Sequence, residues 1–230
     1  MSIWQDVGNQ CLMFGMNRGG SPPVYDIADV CPELIRFEKQ TDAIRDEVLA
    51  LMPDRANIPK YHEIDPGRVH ISNEADGDAS WRVFMLYAMG AKPEENRVRC
   101  PVTTALLDET PNLFQAFFSI LEPHKSVPPH CGPYAGYLRY HLPLIVPTDK
   151  TPQMRVKDYW HTWKEGEGIL FDDHLEHEVV NHSDQVRVVL IIDVLRPLPP
   201  LRDMVNRFLT RTYFRRAYGL RVANGLPPAM

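Results

Sequence analysis

"YLRYHLPLIVP", residues 137–147, decides the fold class. Read as a strand, its side chains alternate between two faces. Leu138, Tyr140, Leu142 and Leu144 take one face, and Arg139 and His141 take the other. An Arg and a His side by side in an otherwise apolar strand require solvent or a polar ligand. Working outward, "LFQAFFSILEP" (113–123), "GEGILFDD" (166–173), "HEVVNHS" (177–183) and "VRVVLIIDVLRP" (186–197) are also strand-like. Clusters of Pro, Gly, Asn, Asp and Ser separate them. "SWRVFMLYAMG" (80–90) alternates in the same way. Short strands at this rhythm, with no helices between them, predict a mainly β antiparallel barrel or jelly roll.

The flanks read differently. From Pro32 to Met52, the apolar residues Leu34, Phe37, Ile44, Val48 and Leu51 fall where one helix could align them. "CPVTTALLDETP" (100–111) predicts a short helix between two prolines. The basic stretch 201–221 predicts a helix with Val205, Phe208, Leu209 and Thr212 on one face and Arg207, Arg211 and Arg215 on another. The expected organisation is a single domain. It comprises an N-terminal helical and loop extension (1–75), a β core (76–200) and a basic C-terminal helix and tail (201–230).

A chain of 230 residues with 44% apolar and 24% charged residues can bury a real core. Its net charge of −5 argues against a nucleic-acid partner. Cys11, Cys31, Cys100 and Cys131 form no CxxC pair, which predicts reduced thiols and a cytoplasmic setting. The first residues show no signal-peptide pattern, and no apolar run is long enough for a transmembrane helix.

The chemistry centres on "PPHCGPYAG" (128–136), "FDDHLEHEV" (171–179) and "VRVVLIIDVLRP". Arg187 opens a very apolar strand, where a buried guanidinium calls for an anion and suits a carboxylate. His130, His177 and Arg187 follow the order HxD…H…R of iron(II), 2-oxoglutarate-dependent oxygenases, but Gly132 stands where the acid would be. From about Trp81 to Pro197 the chain resembles the aspartyl/asparaginyl β-hydroxylase family, in which Gly occupies the acid position and two His hold the metal. The resemblance implies a double-stranded β-helix, or cupin-like jelly roll, with flanking helices. It implies His130 and His177 as Fe(II) ligands and catalytic residues, with 2-oxoglutarate as cosubstrate and O2 as oxidant. Arg187 and Ser119 would meet the distal carboxylate of 2-oxoglutarate, Arg139 and His141 its metal-proximal end, and Trp81 would line its site.

The implied activity is hydroxylation of a C–H bond in an Asp/Asn-type, peptide, natural-product or lipid acyl substrate. The Arg-rich tail adds the expectation of a peripheral membrane contact. The rival reading is a non-catalytic cupin-like protein that binds a small anion or senses a metal. His124, His161, His174 and His182 are expected at the surface or in turns, Asp172 and Asp173 outside the metal shell, and Cys131 on the strand face opposite His130. A vacant acid position predicts that Gly132→Ala is tolerated better than loss of either His.

Overall fold

Strand β10 (Arg187–Leu195) is buried along its whole length, and its alternation organises the molecule. Val188, Leu190, Ile192 and Val194 pack in a cluster with Leu34, Phe37, Ile44, Val48 and Leu51 of the N-terminal segment. Val189 and Ile191 belong to a second cluster that joins the two sheets. A strand covered on both faces loses the polar alternation of a half-exposed one, which is why it reads as a nearly continuous apolar run.

The computed structural model describes residues 20–72 and 80–224. Cys11 and the ends of the predicted N-terminal extension and C-terminal tail lie outside them. The remaining strands are β1 (Val24–Tyr25), β2 (Trp81–Ala88), β3 (Leu113–Leu121), β4 (Val127–His130), β5 (Tyr137–Ile145), β6 (Gln153–Val156), β7 (Tyr159–Thr162), β8 (Ile169–Phe171) and β9 (His177–Val180). They form a six-stranded sheet ordered β1-β8-β5-β10-β3-β2 and a four-stranded sheet ordered β4-β9-β6-β7. All the pairings are antiparallel. Two facing antiparallel sheets with crossing connections make the expected jelly roll.

Leu138, Tyr140, Leu142 and Leu144 of β5 are buried under the N-terminal helices, so that face is dry. Arg139 and His141 therefore point between the sheets. The predicted continuous helix from Pro32 to Met52 is broken into a 3-10 turn (Pro32–Leu34), one helical turn (Ile35–Glu38) and helix α1 (Thr41–Leu51). At the break, the Thr41 hydroxyl donates to the Glu38 carbonyl, while the Gly168 amide donates to the Glu38 carboxylate. The five apolar residues nevertheless remain on the buried side, each contributing roughly 1.5–3 kcal/mol of burial. Helix α2 (Pro101–Asp108) forms as predicted, with Pro at its start.

After β10 the chain forms helix α3 (Pro200–Leu209), a π-helical segment (Thr210–Gly219) and a last helical turn (Leu220–Ala223). Here the expected packing face is corrected. Asn206, Thr210, Phe214 and Gly219 are buried, while Phe208 is 65% exposed. Steps of four, four and five match the wider π turn, which keeps these residues in line. A Cβ at Gly219 would run into the Ala88 carbonyl, so this close approach to β2 needs glycine.

Candidate active site

His130 ends β4 and His177 opens β9, and the two are direct cross-strand partners. Opposed residues project from the same face of a sheet. Their rings lie 4.2 Å apart between centroids. The His130 Nδ1 is 2.9 Å from the Pro128 carbonyl, and the His177 Nδ1 is 2.8 Å from the Leu175 carbonyl. Each carbonyl takes an N–H from Nδ1, so in the neutral ring the lone pair lies on Nε2, the form that binds a metal. Burial, then the neighbouring His177, pushes His130 down to about 3, so its ring is neutral at pH 7.

Asp173 sits beside this pair. Its Oδ1 lies 3.3 Å from the His177 Nε2 and 2.5 Å from the Arg139 guanidinium, and Tyr137 donates its hydroxyl to Oδ2 at 2.5 Å. Burial alone would raise its pKa, but the Arg139 guanidinium outweighs this and holds the carboxyl below its ordinary range. Arg139 also makes a two-pronged contact with Asp193, at 2.7 and 2.8 Å, and Gln115 donates to the same carboxylate. Burial raises the Asp193 pKa, while its contact with Arg139 acts the other way.

Asp172 faces elsewhere and pairs with the buried Arg196. Among the described residues, no three His, Cys, Asp or Glu side chains are grouped to hold a metal.

The structure corrects the expectation for Gly132. A Cβ at this position would overlap the Asp173 carboxylate and come within 2.7 Å of the Asp173 backbone oxygen, which already accepts the Gly132 amide. The position where an acid would stand is therefore filled by a neighbouring side chain.

The other end of the site is built around Arg187. It is 2% exposed, and its Nε and Nη2 have no hydrogen-bond partner. Its guanidinium carbon lies 3.9 Å from the centre of the Trp163 ring. Ser119 faces Val189 across the β3–β10 ladder and accepts the indole N–H of Trp81 at 2.9 Å. His141, also buried, has no partner on either ring nitrogen, and burial followed by the Arg187 charge pushes its pKa well below the usual value.

The predicted residues thus come together between the sheets, but not in one state. Arg139 is bound by two carboxylates, whereas Arg187 and His141 present unsatisfied groups. Unpartnered buried donors on this scale carry a real cost, and they fit an anionic guest. Two imidazole Nε2 atoms next to a charged carboxylate fit a cation.

His124 pairs with Asp184 at the surface, His182 is exposed, and His174 lies in the turn before β9. His161 is half-buried, with its ring edge toward Trp163, which corrects its expected place at the surface. Cys131 is exposed. Sequence reading missed Trp163, Tyr137 and Asp193. A Trp after an exposed β-edge carries no local signal, whereas Asp193, a lone acid in an apolar strand, does.

Residues 38–197 match the aspartyl/asparaginyl beta-hydroxylase family, and the chain belongs to it. It is 41% identical over 189 residues to the ornithine lipid ester-linked acyl 2-hydroxylase of Rhizobium tropici, covering 81% of this chain and 65% of that protein. It is 33% identical over 174 residues to the human aspartyl/asparaginyl beta-hydroxylase, covering 72% of this chain and 21% of that protein. The chain thus spans less than two thirds of either relative. Among solved structures, the Cupin_2 domain of an XRE family transcriptional regulator from Enterobacter cloacae aligns with a TM-score of 0.31 and 17% identity, over 36% of this chain and 82% of that one.

Proposed function

We propose that the chain is an iron(II)- and 2-oxoglutarate-dependent hydroxylase acting on the acyl chain of an amphipathic lipid. The observation that carries the cosubstrate reading is Arg187, a buried guanidinium with two nitrogens unpartnered. A dicarboxylate supplies the missing acceptor in a forked, charge-assisted geometry. Ser119 offers a hydroxyl on the adjoining strand, held in place by Trp81. His130 and His177 hold the iron through Nε2, each oriented by its Nδ1–carbonyl bond. Asp173, whose carboxylate fills the space beside Gly132, lends negative charge next to them. His141, kept neutral by burial, offers a hydrogen bond without adding positive charge.

Bound iron and 2-oxoglutarate supply, with O2, the oxidising power for an unactivated C–H bond. The protein binds, orients and shields them. Arg139 is a positioning residue. Clamped by Asp193, it fixes Asp173 at the histidines.

The acyl substrate follows from similarity to the Rhizobium protein, whose name states ester-linked acyl 2-hydroxylation. The human relative favours an Asp or Asn side chain as the second reading. A mass-spectrometric screen tests both, using acyl lipids against Asp/Asn peptides. The expected result is gain of one oxygen atom in a lipid, requiring iron, 2-oxoglutarate and O2 together. Gain in the peptides alone reverses the substrate assignment. Failure of the protein to convert 2-oxoglutarate to succinate with any substrate favours the non-catalytic binding protein.

A further inference from the structure

The C-terminal helix presents an apolar stripe that no part of the described chain covers. Leu201, Met204 and Phe208 are 71%, 61% and 65% exposed. Their spacing of three and four residues puts them along one line of α3. The opposite line, Asn206, Thr210 and Phe214, is buried against the barrel. Beside the apolar anchors Leu209 and Phe214, the helix keeps this second apolar line outside, which a surface helix of a globular protein does not need for its own packing. Such an exposed apolar line marks an interaction surface.

The flank of the stripe is cationic. Arg207, Arg211 and Arg215 recur every four residues and line a cavity of about 330 Å³ together with Lys92 and Asp108. Asp108 is paired with Lys92 and Arg97, and Arg207 with Asp203. Arg211 and Arg215 are exposed and make no ion pair among the described residues. Residues 201–221 hold six Arg and one acid, in a chain whose net charge is −5. This segment therefore carries a net +5, against −10 for the rest of the chain.

Its place on the barrel is specific. Asn206 accepts the Tyr134 hydroxyl and donates to the Gly136 carbonyl, both at 2.7 Å. Those residues form the connection from His130 to Tyr137, the residue bonded to Asp173. The helix thus sits against the connection that follows His130, at the end of β10 opposite Arg187.

We propose that this helix docks the protein on an anionic phospholipid surface. Leu201, Met204 and Phe208 enter the boundary between headgroups and acyl chains, and the Arg211–Arg215 cavity receives a lipid phosphate. An apolar line with a basic flank suits a helix lying in the plane of the interface, and arginines add attraction to anionic leaflets. Charge complementarity selects this occupant over a symmetric pairing with a second copy, which would set the two Arg-rich helices against each other. The inference rests on the surface alone and stands whichever substrate the site accepts.

The test is flotation of the full chain with vesicles of phosphatidylcholine alone, or mixed with phosphatidylglycerol, without cosubstrate. The expected result is binding to the mixed vesicles that weakens with added salt. The triple variant Leu201→Ser, Met204→Ser, Phe208→Ser and the double variant Arg211→Gln, Arg215→Gln should each lose at least tenfold. All five positions are exposed, so circular dichroism should show both variants folded. Tryptophan emission of Phe208→Trp should shift to the blue on the mixed vesicles only. Equal flotation of wild type and both variants overturns the proposal. Competition by inorganic phosphate at the concentration of lipid phosphate reduces the cavity to a free-anion site and overturns the surface reading. A dimer that dissociates in the triple variant, with no vesicle binding by wild type, assigns the stripe to self-association instead.

Discussion

Replacing Arg187 with Met should stabilise the ligand-free protein while weakening 2-oxoglutarate binding. The guanidinium is buried and its Nε and Nη2 are unpartnered. Burial lowers its pKa from the ordinary guanidinium range to about 9, a cost to the charged form of roughly 5 kcal/mol at 1.36 kcal/mol per pH unit. The group still carries its charge at pH 7, so the folded protein bears that cost until an anion arrives. Contact with Trp163 recovers about 2 kcal/mol. Met keeps much of the apolar stem, and replacing a buried charge with a well-packed apolar group of similar volume stabilises by about 1–4 kcal/mol. A net gain of about 1–3 kcal/mol corresponds to a Tm several degrees higher in a chain of this size, at about 2–4 °C per kcal/mol. Binding moves the other way. Two charged hydrogen bonds at about 1.5–3 kcal/mol each amount to about 3 kcal/mol at the low end, or roughly a hundredfold rise in Kd. Arg187→Lys should lose less than Met, because one ammonium keeps the charge but not the fork. Scanning calorimetry without ligand and anaerobic titration calorimetry with 2-oxoglutarate and an inert divalent metal give the two halves. A Met variant that is folded, less stable and unchanged in 2-oxoglutarate affinity would show that Arg187 braces the barrel and binds nothing.

Three further outcomes are expected. His130→Ala or His177→Ala should abolish metal binding, whereas His124→Ala, at a surface ion pair, should keep it; a metal titration in which the order is reversed refutes the assignment. Gly132→Ala should cost several kcal/mol of stability and disturb the metal site, since its Cβ meets both the Asp173 carboxylate and backbone; urea unfolding with a midpoint equal to wild type would refute the packing. His130, held at about 3, and His141, held well below its usual value, each have a folded pKa below the unfolded 6.5. The unfolded chain therefore takes up protons first as pH falls, so their contribution is complete above about pH 6.5 and is lost toward pH 3, at up to about 2.7 kcal/mol per pH unit for two groups. Metal-free unfolding at pH 7, 6 and 5 should show the decline, and His141→Phe should make it shallower; equal slopes in the two proteins would remove His141 from the account.

The strands, their faces and the central polar residues were legible in the sequence because each depends on a short-range pattern. Alternation with period two put Arg139 and His141 opposite Leu138 and Tyr140, and Arg187 stood out as a charge opening an apolar run. The two histidines were placed by family resemblance, since no local period distinguishes them from His124 or His174. Tertiary structure alone decided what those residues touch. Asp193 reaches Arg139 across 54 residues and Asn206 reaches Tyr134 across 72. Such contacts leave no periodicity behind. The same holds for Gly132, which looked like a vacancy along the chain and proves to be filled by Asp173 from the β8–β9 connection. It holds for the C-terminal helix as well. Its amphipathic composition could be read directly, but the barrel, by offering Tyr134 and the Gly136 carbonyl to Asn206, drew the line of Asn206, Thr210 and Phe214 inward and left Leu201, Met204 and Phe208 outside.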